Sequence, residues 1–290
     1  MITIPEKFMG KSIKGAMKKI LETSSPDASE SPQSESVSLI NLSNPEDYIL
    51  LPGKTHRNYT YQDLLVSMYR LGISPEVEQA AQSLDFQVEN TAKEQNHRDY
   101  IGNINWNQAL TLNLSLKGLT LNLRQFADFL LLLKSGNAVN GRGERVLESK
   151  LAEILNEIVE VKEPWRSEWL DADFKYLDSN KKPVAENQTG EPYIYHTHEL
   201  KNGILVPKYR EKLESCLMKE GFVALQTMNK QGLPTEQGSD FRYCMPRKGN
   251  VSVARFCVYP FPATFYCGWI PKFSVSGLGV RLALKRSTQQ

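Results

Sequence analysis

The sequence predicts an α+β protein from two observations. Helical apolar spacing dominates residues 60 to 160, and short extended runs broken by turn residues dominate 164 to 290. Helices grouped before strands, without strict alternation, separate α+β from α/β. A length of 290 residues allows one large domain or two smaller ones.

Taken in order, residues 1–22 place Phe8, Ile13, Ala16, Met17, Ile20 and Leu21 at helical spacing among five lysines. That pattern is a basic amphipathic helix, suited to an anionic surface, a partner or its own domain. Residues 23–38, "TSSPDASESPQSESVS", hold seven serines, two prolines and three acids. So little apolar surface cannot offset the entropy of ordering, so this is a flexible linker. The globular part runs over 39–290. "YILLPG" predicts a strand and a turn. Tyr61, Leu64, Leu65, Met68 and Leu71 predict a helical face stopped by Gly72, and Ser74 with Pro75 opens another helix. In residues 105–136, Trp106, Ala109, Leu110, Leu112 or Asn113, and Leu116 form one helical stripe, ended by Gly118. Thr120 or Asn122 caps a second, carrying Leu123, Phe126, Ala127, Leu130 and Leu133. "ESKLAEILNEIVEV" adds a third helix. "EPYIYHTH", "FRYCMPR", "VSVARFCVY", "TFYCGWI" and "GVRLAL" then predict strands.

Charged residues make up 23% and the net charge is +2, which points to no nucleic-acid partner. No apolar run approaches the roughly 18 residues of a membrane span, and no secretory signal is legible. Four loosely spaced cysteines fit neither a zinc site nor a disulfide framework, and free thiols are expected. His196 and His198 would share a strand face, one way to present two imidazoles to a metal, but no third ligand is placed; exposed or hydrogen-bonded rings are the simpler expectation. "NGRGER" lacks the full dinucleotide spacing and reads as a surface turn. In "EPWRSEWLDADF" the tryptophans are expected to pack on the domain while the acids face water. No metal or other cofactor is expected.

The C-terminal region, about 240–275, is the most informative. Seven aromatics lie among the 18 residues from Phe256 to Phe273, out of 27 in the chain. Phe265 and Tyr266 are adjacent, as are Trp269 and Ile270, and neighbours on a strand face opposite sides. Pro260, Pro262 and Pro271 argue against one long central strand. Either these rings cover a second buried face, or they form a rigid aromatic binding surface.

Gly279, Val280, Arg281 and Ala283 resemble the closing strand of C-type-lectin-fold proteins related to formylglycine-generating enzymes. Trp106, Ala109, Gly118 and "LTLNLRQFADFL" resemble that fold's two packed helices. "EPWRSEWLDADF", "GLPT", "YCMPR", "SVARF" and "GVRLA" are similar to the variable proteins of diversity-generating retroelements of archaeal and viral type. The resemblance implies a C-type-lectin-like fold and a non-catalytic ligand-binding display protein. Its C-terminal surface, rewritten through a reverse transcriptase, would recognise variable protein or cell-surface ligands. The contacts it implies are Phe241, Tyr243, Cys244, Cys257, Tyr259, Phe261, Phe265, Tyr266, Trp269, Ile270, Lys272 and Phe273. The N-terminal helix would anchor the protein to a virion or envelope. The alternatives are an oxidase-like enzyme using Cys257 and Cys267, or a structural oligomerisation protein of a virion.

Overall fold

The computed structural model describes residues 7–8, 11–12, 44–90, 100–161, 166–185, 188–248, 251–258 and 262–286. The chain divides into two units, Met1–Ser36 and Val37–Gln290. In the first, β1 (Lys7–Phe8) and β2 (Lys11–Ser12) pair antiparallel, so the backbone is extended at those four positions. The rest of the helix expected over 1–22, and the linker expected over 23–38, lie outside the described residues.

The second unit begins with β3 (Tyr48–Leu51), the hairpin β4 (Lys54–His56) and β5 (Tyr59–Tyr61), then β6 (Leu64–Ser67). The helix expected across Tyr61 to Leu71 is absent there. Leu64 and Val66 are buried on a strand, and Leu65 between them masks the two-residue period. Next come α1 (Pro75–Ser83), β7 (Glu89–Asn90), β8 (Ile101–Gly102), α2 (Trp106–Ser115), α3 (Leu123–Lys134) and α4 (Glu148–Val159). Their starts follow from side-chain caps: the Ser74 hydroxyl accepts from the Val77 N–H, and Asn105 with Gln108 and Asn122 with Gln125 form capping boxes. Lys117 turns through positive φ after α2. A Cβ on Gly118 would lie 2.7 Å from the Ala283 carbonyl oxygen, so this close approach needs glycine.

The strands that follow are β9 (Arg166–Leu177), β10 (Glu191–Lys201), β11 (Ile204–Lys212), β12 (Gly221–Val223), β13 (Phe241–Cys244), β14 (Ser252–Val258), β15 (Thr264–Trp269), β16 (Leu278–Gly279) and β17 (Ala283–Lys285). An eight-stranded sheet runs β11-β10-β9-β14-β15-β13-β12, with β16 on β9, and a three-stranded sheet runs β17-β6-β3. "NGRGER" is a turn tied by the Asn140 side chain to the Arg142 and Glu144 amides.

The large sheet is covered on both faces. On one, Leu170, Ala172 and Phe174 of β9 and Ala254 and Phe256 of β14 join α3 and α4 in a single core. On the other, Trp169 and Val253 join α1, α2 and the chain from Leu278 to Leu282. The two helices expected to pack together therefore lie in different cores with the sheet between them. Among the described residues, with four α-helices around an eight-strand sheet and strands both before and after the helices, the structure is mostly β. That overturns the α+β, C-type-lectin-like expectation. Two features account for the difference: Leu64–Ser67 is a strand where a helix was expected, and α2 and α3 belong to separate cores.

The closing strand is also broken. Arg281 sits between β16 and β17, donates to both Glu168 oxygens at 3.0 and 3.1 Å, and donates to the Ser67 and Met68 carbonyls. Both partners are buried. This clamp ties the C-terminus to β9 and to the end of β6.

Candidate aromatic binding face

Alternation along β13, β14 and β15 sorts the C-terminal side chains onto two faces. Phe241, Tyr243, Phe256 and Phe265 point into the core shared with α3. Phe256 and Phe265 meet at 5.0 Å between ring centroids, and Phe126 of α3 lies 5.1 Å from Phe256. Phe241, Tyr243 and Phe265 are therefore core residues, not ligand contacts. Cys244 and Cys257 fall on the opposite face, in register with Tyr266 and Thr264, yet both are also buried. Both thiols are therefore covered and are not the exposed contacts expected. Tyr259 and Phe261 lie outside the described residues.

Of the remaining five implied contacts, Tyr266, Trp269 and Phe273 form one ring cluster, and Ile270, Lys272 and Phe273 are exposed. Between Val253 and Arg255 the β14–β15 register shifts, so that Val253 opposes Trp269 while Arg255 opposes Tyr266. A bulge of this kind adds a residue to one strand and re-aims the side chains around it. It brings Tyr266 and Trp269, three apart, onto the side of Arg255. The Tyr266 and Trp269 rings meet edge to face at 5.3 Å, and Trp269 and Phe273 do so at 5.1 Å. Beneath them the Arg255 guanidinium lies 3.5 Å from the Trp269 centroid and 5.4 Å from that of Tyr266. Such stacking orients both rings and contributes about 0.5–2 kcal/mol. Arg247 donates to the Tyr266 hydroxyl at 3.2 Å. Ile270 is 54% and Phe273 42% exposed, and Lys272 between them is exposed. Arg247 and Arg255 were missed by sequence reasoning. Arg255 was legible in principle, because it alternates with the core residues Ala254 and Phe256.

The other chemical groups are held in closed networks. His196 and His198 are buried, and Thr197 between them takes positive φ. His196 stacks on Tyr209 and contacts Asn122, whereas His198 Nδ1 lies 2.5 Å from Asp171 and its ring meets Trp106. The two imidazoles thus serve different partners. Burial lowers the His196 pKa; burial also works against charge on His198, but Asp171 and Asp173 outweigh it and raise its pKa. Three acids of "EPWRSEWLDADF", expected in water, are buried instead: Glu168 on Arg281, Asp171 on His198, and Asp173 on Lys175 at 3.1 Å. Burial raises the Asp173 carboxyl. Trp169 packs in the core as expected, and Trp165 lies outside the described residues. Asp128 gathers Arg124, Lys54, His56 and Tyr61; burial works to raise it, and these donors together hold it low.

All four cysteines are free. Burial pushes Cys244 up to about 11 and Cys257 upward, which keeps their thiols protonated and poorly nucleophilic. Cys267 sits in the α3-side core and Cys257 on the other face, so the sheet separates the pair an oxidase would use.

No protein-family model, curated protein or solved structure matches the chain.

Proposed function

We propose that this is a non-catalytic binding protein whose outward C-terminal face, Tyr266, Trp269, Ile270, Lys272 and Phe273, recognises a protein or cell-surface ligand. One observation carries the reading: three rings meet edge to face, two of them over a buried guanidinium, while Ile270 and Phe273 stay exposed. Rings already immobilised lose little entropy on binding, and Trp, Tyr and Arg dominate binding hot spots. Diversification of the kind that the resemblance to retroelement variable proteins implies would act on these outward positions and spare Phe241, Tyr243, Phe256 and Phe265. The N-terminal segment serves as the attachment to a virion or envelope.

The test is selection of a displayed random-peptide library on the full chain. Selected peptides should lose binding to the Ile270→Ser, Phe273→Ser double variant, whose melting temperature should stay close to that of the parent. Peptides that bind parent and double variant equally would overturn the reading.

A further inference from the structure

The charge of the chain is unevenly divided. The 50 residues from Phe241 onward carry eight Lys and Arg and no Asp or Glu, while the 240 before them carry 27 cations and all 33 acids. A net charge of +2 conceals this asymmetry. Three of the eight cations are placed elsewhere: Arg281 is bound to Glu168, Arg286 pairs with Asp63 at 3.7 Å, and Lys285 ends β17. The other five, Arg242, Arg247, Lys248, Arg255 and Lys272, belong to the strands and turns of the aromatic face.

Arg255 lies under the rings, and Arg242 meets Glu220 at 3.4 Å. Arg247, Lys248 and Lys272 are exposed, and none of them forms an ion pair among the described residues. Arg247 reaches the Tyr266 hydroxyl, and Lys272 lies in the turn closed by the Phe273 N–H donating to the Ile270 carbonyl. Arg247 therefore stands beside Tyr266, and Lys272 lies in the same turn as the exposed Ile270 and Phe273.

We propose that the ligand of this face is an acidic protein segment, which seats an apolar side chain on Ile270 and Phe273 and places carboxylates on Arg247, Lys248 and Lys272. The inference rests on the binding reading above and names its partner class. An apolar centre inside a polar rim is the anatomy of a protein interface, and a single-signed rim selects the opposite charge. Single-stranded nucleic acid fits less well, since it needs open ring faces for its bases. Here one face of Trp269 is covered by Arg255, and its neighbours meet it edge to face. Three free cations also fall short of the roughly 6–10 phosphate contacts of a strong electrostatic binder.

The experiment reads the charge of the peptides selected on the full chain, counting only those that the Ile270→Ser, Phe273→Ser variant fails to bind. These face-directed peptides should be net negative with an aliphatic or aromatic anchor. Their affinity should fall roughly tenfold between about 0.05 and 0.5 M salt, because rim charges are screened. The R247E/K248E/K272E variant, altered only at exposed positions, should melt like the parent and select net positive peptides. Face-directed peptides that are neutral or basic would remove the acidic partner and leave the binding reading standing. A labelled oligo-dT that binds this face more tightly than any selected peptide would overturn the assignment in favour of nucleic acid. Recovery of no face-directed peptide would end both readings together.

Discussion

Phe265 and Tyr266 are neighbours in the chain and belong to different worlds. The first is 1% exposed among Phe126, Phe241 and Phe256; the second stands over Arg255 with its hydroxyl bonded to Arg247. The same contrast holds for whole faces. The inner one is a close-packed aromatic core, backed by the buried Arg281–Glu168 clamp at the register position of Phe256. The outer one is a shallow aromatic patch above cysteines and a guanidinium. One aromatic-rich stretch therefore supplies both fold and candidate function, and pleat parity plus one bulge decides which residue does which.

The comparison can be broken from the inner side first. Arg281→Ala leaves Glu168 a buried, uncompensated charge and should cost about 3–5 kcal/mol, read from urea unfolding. Phe256→Ala, which opens a cavity against α3, should cost a similar ~3–5 kcal/mol. A loss under about 1 kcal/mol in both, the level of an ordinary surface change, would mean the inner face is not the scaffold. Trp269→Ala sits between the two classes, since the ring is half-buried and stacks on Arg255. It should cost about 1–2 kcal/mol in stability and abolish binding by face-directed peptides.

His198, beside Asp171, Asp173, Lys175 and His196, tests how far the polar network supports the sheet without taking part in binding. Its folded pKa is raised, so its stabilisation is complete below the ordinary histidine value of about 6.5 and fades as pH rises through the folded value. The stability gap between parent and His198→Gln should therefore narrow from pH 5.5 to pH 9, with peptide binding unchanged. A gap independent of pH would show that the imidazole stays neutral. The smallest stability effect belongs to Phe273→Ala. It should change stability by no more than about 0.5 kcal/mol while weakening peptide binding by about 1 kcal/mol or more.

Much of the local structure was legible. The Ser74 cap, Asn122 as one of two cap candidates, the turn at "NGRGER" and several of the later strands follow from short-range chemistry that one sequence displays. Two things were hidden. Leu64, Leu65 and Val66 are consecutive apolar residues, and such a run carries no period by which to tell strand from helix. α2 and α3, close in sequence, are parted by β9 and β14, strands that arrive more than thirty residues later. The site was half legible for a related reason. Composition showed that rings crowd residues 256 to 273, but the side each ring takes depends on the bulge opposite Val253 and Arg255, which only strand pairing reveals.

The most direct measurement is parallel urea denaturation of Phe265→Ala and Tyr266→Ala, two adjacent aromatics changed to the same residue. The two-faced account predicts a loss of about 3–5 kcal/mol for Phe265 and of about 1 kcal/mol or less for Tyr266. Equal losses would contradict it.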